Sequence, residues 1–167
     1  MALDSSYKME NVITSLDKWM FDNVASPEGI LMDWEGGDSV DLKNVDEWIQ
    51  PRIMAGVADY VHQVCGNRIG QNTHFLYNIN IFVKRGVTTS KNRLQQLRDI
   101  VADNYTIGTS IPFMDYASSD TQIGEFVVRD IMTDMQIPPA AARIEMESTY
   151  FQYTLTPDIV VIQKWSG

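Results

Sequence analysis

The segment from His74 to Lys84 constrains the fold of this chain more than any other stretch. Phe75, Tyr77, Ile79, Ile81 and Val83 alternate there with Leu76, Asn78, Asn80, Phe82 and Lys84. Successive side chains of a strand point to opposite faces, so this pattern predicts a strand with one apolar face and one mixed face. An apolar sheet face needs a covering layer, and two segments have the periodicity to supply it. Between Ser6 and Val24, the residues Met9, Val12, Ile13, Leu16, Trp19 and Met20 recur at helical spacing. This predicts an amphipathic helix ended by Ser26-Pro27-Glu28-Gly29, because the residue before a proline is pushed out of the α region. A second helix is predicted from a Thr89 or Ser90 cap to about Tyr105, with Leu94, Leu97, Val101 and Tyr105 on one stripe.

The remaining pattern adds strands. Ile30–Trp34 reads as a short strand, followed by a turn at Glu35-Gly36-Gly37-Asp38. Trp48–Ile53 reads as extended, and Pro51 assigns it to an edge or a strand start, since proline cannot donate to a ladder. Asp59–Cys65 and His74–Lys84 bracket Gly66–Asn72 as a hairpin. Gly108 and Pro112 close the second helix, Gly108–Thr121 has no assigned place, and Ile123–Asp130, Thr149–Thr156 and Val160–Ile162 read as separate extended pieces. The fold class expected is α+β: a mostly antiparallel sheet with an N-terminal amphipathic helix and a second helix packed on the sheet, in a single domain over residues 1–167.

Composition supports a packed core and narrows the partners. Of the 167 residues 44% are apolar and 21% charged, which is ordinary for a globular chain and unlike the profile of disorder. The formal net charge of −9 disfavours nonspecific binding to nucleic acid or to an anionic membrane. The sequence holds no run of about 18 uncharged apolar residues that could span a bilayer, and Met1–Lys8 lacks the features of a signal peptide. A soluble protein made in a cytoplasm is the expectation.

The sequence holds no recognisable pattern of catalytic residues. A histidine base must lie close to its nucleophile, and His62 and Cys65 would fall on opposite faces of a strand, being separated by an odd number of residues. One cysteine and two histidines match no zinc pattern. Asp33-x-Glu35-x-Gly37-Asp38 carries alternate carboxylates but lacks the central glycine and distal glutamate of a calcium loop. No glycine-rich phosphate loop is present in the sequence. The expectation is a protein that is not an enzyme and carries no cofactor or metal.

An N-terminal amphipathic helix, the extended Glu47-Trp48-Ile49, the strand Tyr77–Val83, the turn Lys84-Arg85-Gly86 and the helix Leu94–Asp103 follow one another in an order that resembles phage tail terminator (tail completion) proteins. The resemblance implies a small structural subunit that assembles into a sixfold ring on the tail tube, stops tube polymerisation and offers a surface to the neck. It implies as partners other copies of the chain, the tail tube protein and a neck or connector protein. DNA would be passing cargo, with no membrane contact, and the particle would be a virion assembled in the host cytoplasm. Within such a ring, Lys84, Arg85, Lys91 and Arg93 are expected at the rim of the subunit interface, facing acids of a neighbour. The segment from Asp33 to Glu47 holds six acids and one base, and Asp33, Glu35, Asp38 and Asp41 are expected on a loop that lines the lumen or keeps the outside soluble. Two other classes stay open: a neck connector or tube subunit, and a small binding module or hydrolase using the acidic loop. A pocket of convergent carboxylates with raised pKa values would favour the last.

Overall fold

The computed structural model describes residues 2–3, 8–35, 37, 41–54, 58–65, 68–86, 90–116, 118, 120–133 and 150–166. In chain order these form β1 (Ala2–Leu3), α1 (Met9–Met20), a π turn (Phe21–Ala25), α2 (Ser26–Glu28), β2 (Leu31–Met32), a 3-10 turn (Leu42–Asn44), β3 (Glu47–Met54), β4 (Ala58–Cys65), β5 (Arg68–Lys84), α3 (Ser90–Asn104), β6 (Ser110–Asp115), β7 (Thr121–Thr133) and β8 (Tyr150–Ser166). One sheet runs in the order β2-β3-β5-β8-β7-β6, with β4 also paired to β5 and β1 to β8.

The expected fold class is corrected by this topology. Strands dominate the chain, and the sheet is mixed, because β2 runs parallel to β3 while the other pairs are antiparallel. A parallel neighbour needs a crossover, and the residues between Met32 and Glu47 carry the chain back to the start of β3. Alternation alone reports no strand direction. The N-terminal helix and the second helix against the sheet are both present. Several boundaries also change. The expected Gly66–Asn72 connection is mostly strand, because β5 already begins at Arg68 and pairs with β4 there. Thr149–Thr156 and Val160–Ile162 belong to one strand, β8, which runs through Pro157. Ser110–Asp115, within the stretch that had no place, is a strand whose Pro112 sits on an outer edge where its missing N–H is tolerated. The first helix continues to Glu28, with Pro27 in the first turn of α2, and ends at Gly29, whose φ of 65° closes it in the left-handed region. Pro138-Pro139, which separates Ile123–Asp130 from Thr149–Thr156 in the sequence, lies outside the described residues.

The β5 pattern is realised as read. Phe75, Tyr77, Ile79, Ile81 and Val83 are all buried, and they meet Val12, Leu16 and Met20 of α1 with Leu94, Leu97 and Val101 of α3. Pro51 opposes Ile79 beyond the point where β2 stops, so β3 is an edge there. The face away from the helices carries Gln50, Asn78, Asn80, Gln152 and Thr154 in register, with Asn80 Oδ1 accepting from Thr154 Oγ1 at 2.7 Å and Gln152 Nε2 at 3.1 Å.

Polar residues of α1 protect the β6 edge. Ser15 Oγ accepts from Met114 N at 3.0 Å, Asn11 Oδ1 accepts from Tyr116 N at 3.1 Å, and Asn11 Nδ2 donates to Asp115 Oδ1 at 3.0 Å. Unpaired edge amides would otherwise invite another strand. Asn11→Ala removes partners from a buried carboxylate and a backbone N–H, so it is expected to cost about 1–3 kcal/mol in chemical denaturation. An unchanged denaturation midpoint would contradict this edge account.

Candidate functional site

Thr14, Asp17, Lys18 and Phe21 stand three, four and seven residues apart, which puts them on one flank of the first helix. Opposite that flank the chain leaves β2 at Trp34, Glu35 and Gly37, and the two walls enclose a cleft of about 470 Å³. At Phe21 the helix widens: Ser26 N donates to Phe21 O, five residues back, and Asn23 Nδ2 occupies Trp19 O at 2.9 Å. The Phe21 and Trp34 rings lie 5.9 Å apart at 39°, and both are exposed at the rim. Gly37 N closes the turn onto Trp34 O at 3.3 Å, and a Cβ at Gly37 would come within 3.1 Å of Trp34 Cβ.

Both carboxylates of the cleft are positioned by the sheet. Glu35 Oε2 accepts from Ile53 N at 3.0 Å, satisfying the β3 edge beyond β2. Asp17 is buried and accepts from Tyr77 Oη at 2.8 Å. Burial raises the Asp17 pKa to about 6, against the lowering effect of the Tyr77 hydrogen bond; Glu35 adds a smaller raise and Arg52 a smaller fall. Burial also pushes the Tyr77 and Tyr105 hydroxyls well above their usual range. The Tyr105 hydroxyl is buried without a hydrogen-bond partner among the described residues, and its ring lies 6.0 Å from Tyr77.

The residues expected at a subunit interface divide into two groups. Arg93 binds Glu47 through two parallel bonds of 2.8 and 2.9 Å and reaches Glu28 at 3.2 Å, tying α3 to β3 and α2. Its pKa is raised, chiefly by the bond to Glu47. Lys84 pairs with Asp46 at 3.4 Å. Arg85 and Lys91 both stand over the Phe151 ring, at 4.8 and 5.8 Å. So Lys84 and Arg93 meet acids of their own chain.

The acidic segment folds back rather than projecting at its start. Asp33 Oδ2 accepts from Gln50 Nε2 at 2.6 Å and Arg52 Nη2 at 3.0 Å, and Glu35 is held as described. Asp41 is exposed, and Asp38 lies outside the described residues. His74 is half-buried with Nδ1 3.3 Å from Asp158 Oδ1, whereas the His62 and Cys65 side chains on β4 lie outside the described residues. Asp17 and Tyr77 were not singled out from the sequence for chemistry. The one local signal was an acid set three and four residues from cleft-wall positions on an amphipathic helix.

Neither the protein-family models nor the curated proteins compared with the chain give a match. Among the described residues, no helix is long and apolar enough to cross a membrane, and no group of three or more His, Cys, Asp or Glu is placed to hold a metal ion.

Proposed function

We propose that the chain is a structural subunit of a virus tail, a terminator that assembles head to tail into a closed ring, caps the tail tube and joins it to the neck. One observation carries this reading. The strands β5 and β8 are 17 residues long each, and their paired backbone continues past the Leu76–Asp158 pair, to Arg68 and to Ser166. Those continuations stay paired, through Gly70 with Lys164, and are widened by β4 and β1. We take this strand-built end of the sheet as an assembly arm. A head-to-tail contact joins two different surfaces, and a projecting arm received by a neighbour's body is such a pair.

The β6 edge supports the same reading by what it withholds. Pro112 and the Asn11 and Ser15 bonds blunt it against further strand pairing, which leaves the arm as the element offered for assembly. Its partners are other copies of the chain, the tube protein and a neck or connector protein. DNA passes as cargo: the net charge is −9, and Arg52, Lys84 and Arg93 are engaged by acids of their own chain. The setting is a virion.

Hydrogen exchange tests the arm. Backbone amides of Ala58–Cys65 and of residues 162–166 are expected to exchange more slowly in concentrated, assembled protein than in dilute protein. Equal exchange at all concentrations would remove the arm as the contact.

A second reading, a binding module, is favoured by one observation: a buried carboxylate of raised pKa lines an open cleft beside a second carboxylate.

A further inference from the structure

Asp17 is a charged group that the fold itself does not neutralise. Its side chain is buried, with 6% of the residue exposed. It accepts one hydrogen bond, from the uncharged Tyr77 hydroxyl, and its second oxygen has no donor among the described residues. The nearby cations are engaged elsewhere, Lys18 with Asp22 at 3.0 Å and Arg52 with Asp33 at 3.0 Å. An asparagine would keep the Tyr77 hydrogen bond without the cost of burying a carboxylate. The ionised group therefore has no structural use that a neutral one would lack.

The cleft into which Asp17 opens has the chemistry of a cation receptor. Glu35 lines the facing wall, with one oxygen fixed by Ile53 N. Phe21 and Trp34 stand at the rim with 41% and 37% of their surface exposed, offering ring faces to a cation. The π turn beginning at Phe21 and the close Gly37 turn under Trp34 hold the two rings 5.9 Å apart. Single-turn π segments inside helices recur at functional sites.

From this geometry we propose that the cleft binds an arginine or lysine side chain of a protein partner, its cationic head between Asp17 and Glu35 and its stem against Phe21 and Trp34. The exposed Phe21 and Trp34 rings give the stem and the flanking backbone something to pack on, which a free amine would not use. Recognition at this cleft holds whether or not the chain forms a ring.

The test is an NMR titration of the full chain with the blocked tripeptide Gly-Arg-Gly, with the same peptide carrying citrulline, the uncharged isostere, and with propylguanidinium. The arginine peptide is expected to shift the amides of Asp17, Phe21 and Glu35 and the Trp34 indole, and the citrulline peptide to leave them in place. Asp17→Asn is expected to weaken the arginine peptide by at least about tenfold. Equal shifts with citrulline, no shift with arginine, or unchanged affinity in a folded Asp17→Asn protein would overturn the proposal. Equal affinity for propylguanidinium would overturn the protein side chain as the source. If Asp17→Asn does not fold, the arginine and citrulline peptides on the natural chain decide alone.

Discussion

Leu97→Ala is expected to lower stability by about 2–5 kcal/mol, the range for deleting a fully buried leucine from a core that relaxes only in part. Leu97 is fully buried at the centre of the α3 stripe, with Leu94 and Val101 one turn to either side. The lost methyl groups forfeit their transfer free energy, and the sheet behind cannot close the gap because its side chains are fixed by register with β3 and β8. Urea denaturation measures the loss as a lower midpoint at constant slope. An unchanged midpoint would mean that α3 does not seal the core.

The second large effect is a dependence on pH with the sign opposite to that of an ordinary paired carboxylate. The folded Asp17 pKa is about 6 against an ordinary value of 3.8, so between those values the folded chain holds more protons than the unfolded one. Stability then falls as pH rises from about 4 to about 6, and the full shift amounts to roughly 3 kcal/mol at most. The groups facing Asp17 are Tyr77 from β5, Tyr105 from the end of α3, Glu35 and Arg52 from the β2 and β3 side, and Lys18 on its own helix. Asp17→Asn removes this slope while leaving an oxygen for the Tyr77 hydroxyl. The variant is expected to match the natural chain near pH 4 and to exceed it at pH 7 by about 1–3 kcal/mol. A natural chain more stable than the variant at pH 7 would mean that a cation within the fold already neutralises Asp17.

Much of the fold was legible because its signals are local. The alternation of Phe75 to Val83 and the Leu94, Leu97, Val101 stripe each report one face of one element, and each face is buried. Prolines hid the rest. Pro112 masked β6 and Pro27 shortened the first helix, although they sit at an edge and in a first turn where a missing N–H is tolerated, and Pro157 divided β8, a central strand whose pairing with β5 is interrupted between Leu76–Asp158 and Ile79–Leu155. Strand direction was not legible at β2, since parallel pairing depends on the path of the following loop.

The cleft was illegible for a different reason. An aspartate on an amphipathic helix reads as part of the solvated side, and nothing near position 17 announces a tyrosine sixty residues away. Asn11 and Ser15 were missed in the same way, because their partners lie on β6. The basic residues were legible as a cluster but not in their pairing. Arg93 faces Glu47 only because α3 packs on β5, the neighbour of β3, and Lys84 faces Asp46 only because β3 and β5 are in register.

Native mass spectrometry of the purified full chain tests the ring most directly, since it counts subunits without knowledge of the partner. The account predicts a closed assembly of fixed copy number, six if the resemblance to tail terminators holds, that does not grow with concentration. A monomer at every concentration, or an open polymer of rising length, would contradict it.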